Sequence, residues 1–559
     1  MRVDAITFGV VNKALIGVAE QMAATIERTS YSTVIREMLD YSTAVFDGGG
    51  RIIAQSCRIP IHLNSMSRSL RTTLDDVIPI ADWHPGDIVV TNDPYLGGQH
   101  LPDIQTFKPV FLDDDLVAIC GTLGHHLDVG GMRPGSYAGD AVEIYQEGLR
   151  IPPIKLFENG QLNERIFALI AANIRQPELT TGDLRAQTAA LEIGERGIID
   201  LIERYGVGTL KDCMRDALDI SETRLREKIR ALPDGSYRGE YQVDDDGIVD
   251  EKINIVTTLT VDGDSVHVDF TGTDIQRRAP INATISSCES ATYFTILSIL
   301  DASIPPNFGV YKPITIVAPE GTVVNALPPA PVVGRNAITH TIVNALMIAL
   351  SKIVPDRITA AYYGMSNVYI LSGEGSGEVP GWILFDIEVG GGGARHDKDG
   401  LDCYSQGIHN LRNTPIEMIE LTYPLLFTRY EFLPDSGGAG RHRGGLGVRR
   451  DIKFLDNAGA LETQFDKFKV APFGLFGGKP GATGELVLNP DSPNARNLKS
   501  KTMGQKLEQE DVISIRTQGG GGYGPVKERD TAAIRRDVVE GKVTGDAARS
   551  EYGWEGEKN

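Results

Sequence analysis

Between Thr91 and Gly131 the chain places three of its ten histidines, His100, His125 and His126, close to Asp103 and Asp128 and among several Gly and Pro residues. Neutral imidazole nitrogens with a carboxylate form a borderline-to-hard donor set, suited to Mn, Fe or Zn with positions left for water or substrate. No fixed spacing defines such a set as tightly as paired CxxC motifs define zinc, so polar loop residues satisfied by backbone groups are the competing reading. Pro102, between His100 and Asp103, disfavours a helix there, and both are expected on a loop. His125 is expected just past the end of a strand over 116–123, where a rigid scaffold holds a functional group.

The elements that must position these residues follow from periodicity. Val11, Leu15, Val18, Met22 and Ile26 recur at three- and four-residue steps and predict a first helix. Short strands over 44–46 and 51–54 are joined by Asp47-Gly48-Gly49-Gly50, and a further strand is expected over 87–91. From 163 to 229 the pattern is helical, with stripes Leu184, Leu191, Ile198, Ile202 and Leu210, Met214, Leu218, Leu225, Ile229 separated at Gly206-Val207-Gly208. Ile253, Ile255, Leu259 and Val261 alternate, turn at Asp262-Gly263, and alternate back through Val266, Val268 and Phe270. Apolar helices are predicted over 289–300 and 336–353. Beyond Pro355 the chain is β- and Gly-rich, and its clustered glycines predict tight turns. A closing helix over 528–541 and a frayed last dozen residues complete the reading.

The chain has 559 residues and a formal charge of -20, from 55 basic and 75 acidic side chains. At roughly 150 residues per domain, two to four units are expected. An acidic surface repels phosphate backbones and anionic lipid, which disfavours nucleic-acid or membrane-surface partners. No apolar run approaches the roughly 20 residues of a membrane span, and no signal peptide is evident, so a cytoplasmic protein is expected. Five dispersed cysteines without CxxC point to reduced thiols. No G-x-x-x-x-G-K-[ST] or G-x-S-x-G occurs, and the Gly519–Gly524 run fits a dinucleotide fingerprint almost by default. Arg395-His396-Asp397 and Arg441-His442-Arg443 read as polar loop residues.

Four stretches, NDPYLGGQHLPDI (from Asn92), GHHLDVGG (from Gly124), EIYQEGLRIPPIKL (from Glu143) and TQGGGGYG (from Thr517), resemble the hydantoinase B family. That family comprises B-type subunits or domains of ATP-dependent N-methylhydantoinases, 5-oxoprolinases and caprolactamase-like lactam hydrolases, with related acetone and acetophenone carboxylase subunits. The resemblance implies a metal site of a His, an Asp three residues on and a second His 25 residues after the first, which His100, Asp103 and His125 match. His125 is preferred over His126 because it keeps its distance to the following Asp-Val-Gly-Gly. It further implies roles for His126 and Asp128 beside the metal or in proton transfer, for Glu37 and Asp40 in holding the metal or acting as base, and for His62 as a proton shuttle. Ordinary turn, helix-end or core positions are the competing readings of these five.

The expected fold is a mixed α+β, multi-lobed chain with a helical N-terminal half carrying short strands and a β- and Gly-rich C-terminal half. Three regions are expected: 1–233, metal-bearing and ending in long helices; 234–355, with the hairpin; and 356–559, with the closing helix. By resemblance the chain is a B-type subunit with one divalent transition metal (Mn, Zn or Fe). It would act on a hydantoin, 5-oxoproline or related lactam phosphorylated by an A-type partner of the actin-like ATPase class, in a hetero-oligomer where ATP is used by the partner. A ketone carboxylase subunit and a non-catalytic scaffold for an ATPase are the alternatives.

Overall fold

The computed structural model describes residues 1–56, 58–375 and 381–556. Among these are eleven α-helices and four sheets, a mixed α+β architecture. The chain divides into two compact units, one of Met1–Arg238 with Thr257–Arg335, the other of Gly239–Val256 with Asn336–Asn559.

The first unit begins with α1 (Ala5–Thr29), whose N-terminus is capped by the Asp4 carboxylate accepting from the amides of Ile6 and Thr7. All five apolar residues of its predicted stripe are buried. The one-turn α2 (Thr33–Arg36) leads into β1 (Tyr41–Asp47) and β2 (Ile52–Gln55), followed by α3 (His62–Thr72). Strands β3 (Ile88–Thr91), β4 (Asp103–Leu112), β5 (Asp115–His125), β6 (Ile154–Glu158) and β7 (Gln161–Leu162) complete a seven-stranded antiparallel sheet of order β2-β1-β5-β4-β3-β6-β7. After α4 (Glu164–Ala172) come the long α5 (Pro177–Tyr205) and α6 (Val207–Arg230), separated at Gly206 (φ 82°). Helices α1, α5 and α6 share one apolar core with β1 and β5. Gly194 permits the close approach of α5, since a Cβ there would lie 2.6 Å from Met22 Sδ and 2.7 Å from Cys120 Sγ.

Strands β8 (Gly235–Val243) and β9 (Ile253–Asp262) carry the chain out of the first unit and back. The expected hairpin from β9 to β10 (Ser265–Asp269) turns at Gly263, and β10 pairs in parallel with β11 (Ile314–Val317). The apolar α7 (Ile285–Leu300) lies between β10 and β11 in the chain.

The second unit contains α8 (Asn336–Leu350) and two antiparallel sheets sharing one core. One, of order β13-β12-β16-β19, is built from β12 (Asn367–Gly373), β13 (Trp382–Glu388), β16 (Ala458–Gln464) and β19 (Gln505–Glu508). The other, of order β14-β15-β20-β17-β18, uses β14 (Leu425–Phe432), β15 (Val448–Phe454), β17 (Glu485–Leu488), β18 (Arg496–Leu498) and β20 (Val512–Arg516). Helix α9 (Ile416–Thr422) contributes Ile419 to the core between them.

Three sequence expectations need correction. The glycine clusters around 391, 444 and 520 are packed backbone segments rather than tight turns: Gly391–Gly393 and Gly519–Gly522 have no positive φ. The amide of Gly445 donates to Gly392 and that of Gly520 to Gly445, at 2.8 and 2.9 Å. A side chain would fill the space that the neighbouring carbonyl occupies. The closing helix is two, α10 (Thr531–Val539) and α11 (Gly545–Tyr552), the second reaching into the stretch expected to fray; Ile534, Val543 and Ala548 form a small buried cluster of their own. Asp103 opens β4 rather than lying in a loop, and His125 closes β5 rather than following it, because the β4–β5 ladder runs further than the apolar pattern. Cys120, Cys213, Cys288 and Cys403 are free thiols, and Cys57 lies outside the described residues.

Candidate metal centre

The register of three strands builds the site. Asp103 is paired with His125 across β4 and β5, and the His125 amide donates to the Asp40 carbonyl at 3.0 Å just before β1 begins. Asp40, His125 and Asp103 therefore form a row across adjacent strands, while His126, one residue on, turns to the opposite face. His100 enters from the preceding loop. There Gly97 (φ 109°) lies against the backbone of α3 at Ser69, and the buried Asn92 amide bonds the carbonyls of Leu101 and Leu149 and the amide of Ile151.

His100 Nε2 lies 2.9 Å from Asp103 Oδ1 and 3.2 Å from His125 Nδ1, and His125 Nδ1 lies 3.2 Å from Asp103 Oδ1. All three residues are buried. Donor atoms bound to one transition-metal ion at about 2.0–2.2 Å stand roughly this far apart, so two imidazoles and a carboxylate fit a shared ion. Asp40 Oδ2 is 3.9 Å from His125 Nδ1, and its other oxygen is 3.7 Å from His62 Nε2. His62 Nδ1 meets Ser42 Oγ at 3.0 Å.

Burial lowers His100 to about 3, helped by the nearby Arg335 cation, so its imidazole is neutral. Burial alone would raise Asp103, but His100 and the Arg335 guanidinium hold it well below the usual carboxylate range. Asp40 is pushed up to about 6 by burial, against the pull of His125. His62 falls to about 4, again through burial. The Tyr137 ring stands edge-on to His100, with centroids 5.9 Å apart.

The remaining candidates point elsewhere. His126 Nε2 bonds Gln187 Oε1 of α5 at 2.8 Å. Asp128 organises its own loop, accepting from the amides of Gly130, Gly135 and Arg175 and from the Arg175 guanidinium. Glu37 pairs with its neighbour Arg36 at 2.9 Å. Sequence reasoning missed Arg335, whose Nη2 donates to Asp103 Oδ2 at 3.1 Å from 232 residues away, and no local pattern marks it. It also missed Gln99, although that residue lies within the motif.

A family profile, Hydantoinase B/oxoprolinase, matches residues 4–526, and the chain belongs to that family. It is 35% identical to the B-type subunit of a putative D-/L-hydantoinase from Pseudomonas sp. (strain NS671), over 99% of this chain and 95% of the relative. The crystal structure of ATP-dependent caprolactamase from Pseudomonas jessenii superposes with a TM-score of 0.91 at 32% identity, covering 99% of this chain and 96% of that one. Nucleotide-free acetone carboxylase shares the fold, with a TM-score of 0.89 at 20% identity over 98% and 79% of the two chains.

Proposed function

We propose that this chain is the metal-containing B-type subunit of an ATP-dependent cyclic amide hydrolase, acting on a hydantoin, 5-oxoproline or related lactam activated by a separate A-type ATPase subunit. The observation that carries the reading is the convergence of His100 Nε2, Asp103 Oδ1 and His125 Nδ1 within 2.9–3.2 Å of one another in a member of this family. A caprolactamase relative described as ATP-dependent and a hydantoinase relative named as a subunit support the substrate class and the division of labour.

His100 and His125 offer imidazole nitrogen lone pairs, and Asp103 supplies the negative charge. A divalent transition metal, Mn, Zn or Fe, would there acidify a bound water and polarise the substrate oxygen. Asp40, with its carboxyl near 6, is placed beside His125 to accept a proton from an attacking water. His62 lies between Asp40 and Ser42, where it passes that proton on. His126 acts from the opposite face, keeping the strand end in place through Gln187. Glu37 and Asp128, engaged elsewhere, have no part in this chemistry.

The test combines this chain with its A-type partner and follows ATP consumption against lactams, hydantoins and ketones, with and without bicarbonate. Lactam- or hydantoin-dependent turnover without bicarbonate is the expected result. Turnover that requires a ketone and bicarbonate would make the chain a carboxylase subunit instead. Turnover that persists unchanged when His100 and His125 are both replaced by Ala would leave the chain a scaffold.

A further inference from the structure

The Arg335 guanidinium is 3% exposed and bonds two of the segments that supply the centre, β4 and the loop that carries His100. Its Nη2 donates to Asp103 Oδ2 at 3.1 Å, and Nη2 and Nε both donate to Gln99 Oε1, at 3.0 and 3.3 Å. Gln99 precedes His100, and its amide donates at 2.5 Å to the carbonyl of Ile61, the residue before His62. The Tyr137 hydroxyl, whose ring abuts His100, lies within the electrostatic reach of this guanidinium.

We infer that Arg335 is the positioning residue of the centre: it commits one oxygen of Asp103 so that only Oδ1 faces the two imidazoles, and through Gln99 it keeps the His62 end of α3 in register with the His100 loop. The inference rests on the metal reading above. A carboxylate held at one oxygen cannot rotate to present the other, and the rigid guanidinium fork reaches Asp103 and Gln99 together. An ammonium supplies the charge but not the fork. Electrostatics and geometry make opposite demands here. A cation beside a metal site opposes the ion, so a purely electrostatic role predicts tighter binding once the cation is removed. A positioning role predicts weaker binding, because the ligand is no longer aimed.

The experiment titrates metal-free parent, Arg335→Met, Arg335→Lys and Gln99→Leu chains with Mn(II) and Zn(II), and measures kcat and KM of each with the partner subunit. Arg335→Met should bind about 10- to 100-fold more weakly. Arg335→Lys and Gln99→Leu should bind within a few-fold of the parent yet lose kcat at unchanged KM, and the double variant should lose no more than either alone. Should Arg335→Met fail to fold, the Lys and Leu variants and their combination decide the question. Tighter or unchanged metal binding in Arg335→Met, or additive losses in the double variant, overturns the inference while leaving the metal reading intact. A parent chain that binds neither of these ions nor Fe(II) overturns both.

Discussion

Asp103 and His125 are directly opposed in the β4–β5 ladder, and that pairing brings Asp103 Oδ1 to 3.2 Å from His125 Nδ1. A one-residue slip would exchange His125 for His126 and aim the wrong imidazole at the carboxylate. The choice between two adjacent histidines is thus made by strand register.

Replacing His100 or His125 by Ala, or Asp103 by Asn, should empty the centre. Elemental analysis of the purified variants checks this, with retained metal in the His100 and His125 variants as the contrary outcome. The fold should survive in all three, because the first unit rests on an apolar core of its own. Asp103→Asn should nonetheless melt lower than the parent, since it leaves the buried Arg335 without its counter-charge, a loss on the order of 3–5 kcal/mol.

His126→Ala should behave differently. It removes the bond to Gln187 and leaves a buried amide short of a partner, costing about 1–3 kcal/mol of stability. Metal content should stay at the parent level. A variant that loses its metal while His125→Ala keeps it would reverse the ligand assignment.

Glu147 should impose a pH dependence on stability. Burial raises its carboxyl to about 8, with only the Val333 and Val332 amides and the more distant Arg335 charge opposing the shift. Between the ordinary glutamate range near 4.5 and about pH 8, the folded chain binds a proton that the unfolded chain has lost. Stability from this group is therefore complete below that window and declines as pH rises through it, by a few kcal/mol at most. Glu147→Gln should flatten this part of the denaturation profile, and urea melts of both chains at about pH 5 and pH 8 would show it. Parallel profiles for the two chains would count against the protonated assignment.

Gly520→Ala should be among the most damaging single-methyl additions in the second unit. The new Cβ would run into the Gly392 backbone carbonyl, which no rotamer change can move. A cost well above the roughly 1–3 kcal/mol typical of core overpacking is expected, measured as lost soluble yield or a depressed melting temperature. Near-parental melting would show that these segments slide apart easily.

The A-type partner should form a stable hetero-oligomer with this chain, burying over about 2,000 Å² if the assembly is obligate. Light scattering on the two subunits mixed at micromolar concentration tests it, and a mixture that stays monomeric contradicts it. The isolated chain should show no steady ATP hydrolysis, since it carries no recognisable phosphate-binding loop.

Local information was enough for much of this protein. The periodicity of Val11 through Ile26 specified α1, because a helix reports its buried face within a few turns. The β9–β10 hairpin was equally legible, its alternation and its Asp262-Gly263 turn lying within a few residues of each other. The donor-rich stretch from His100 to Asp128 was visible locally because one hairpin and its flanking loops carry it, while the set His100, Asp103 and His125 was singled out only by resemblance to the family's spacing. Tertiary structure decided the rest. The Gly runs look like turns until their neighbours are known, for only packing of distant backbones shows why a side chain is excluded. Which face Asp128 served, and whether Asp40 or Glu37 lay beside the histidines, depended on strand register and loop closure that no local pattern encodes. Arg335 is the extreme case: 232 residues separate it from Asp103, and an arginine flanked by Gly and Asn gives no sign of its partner until folding buries both charges together.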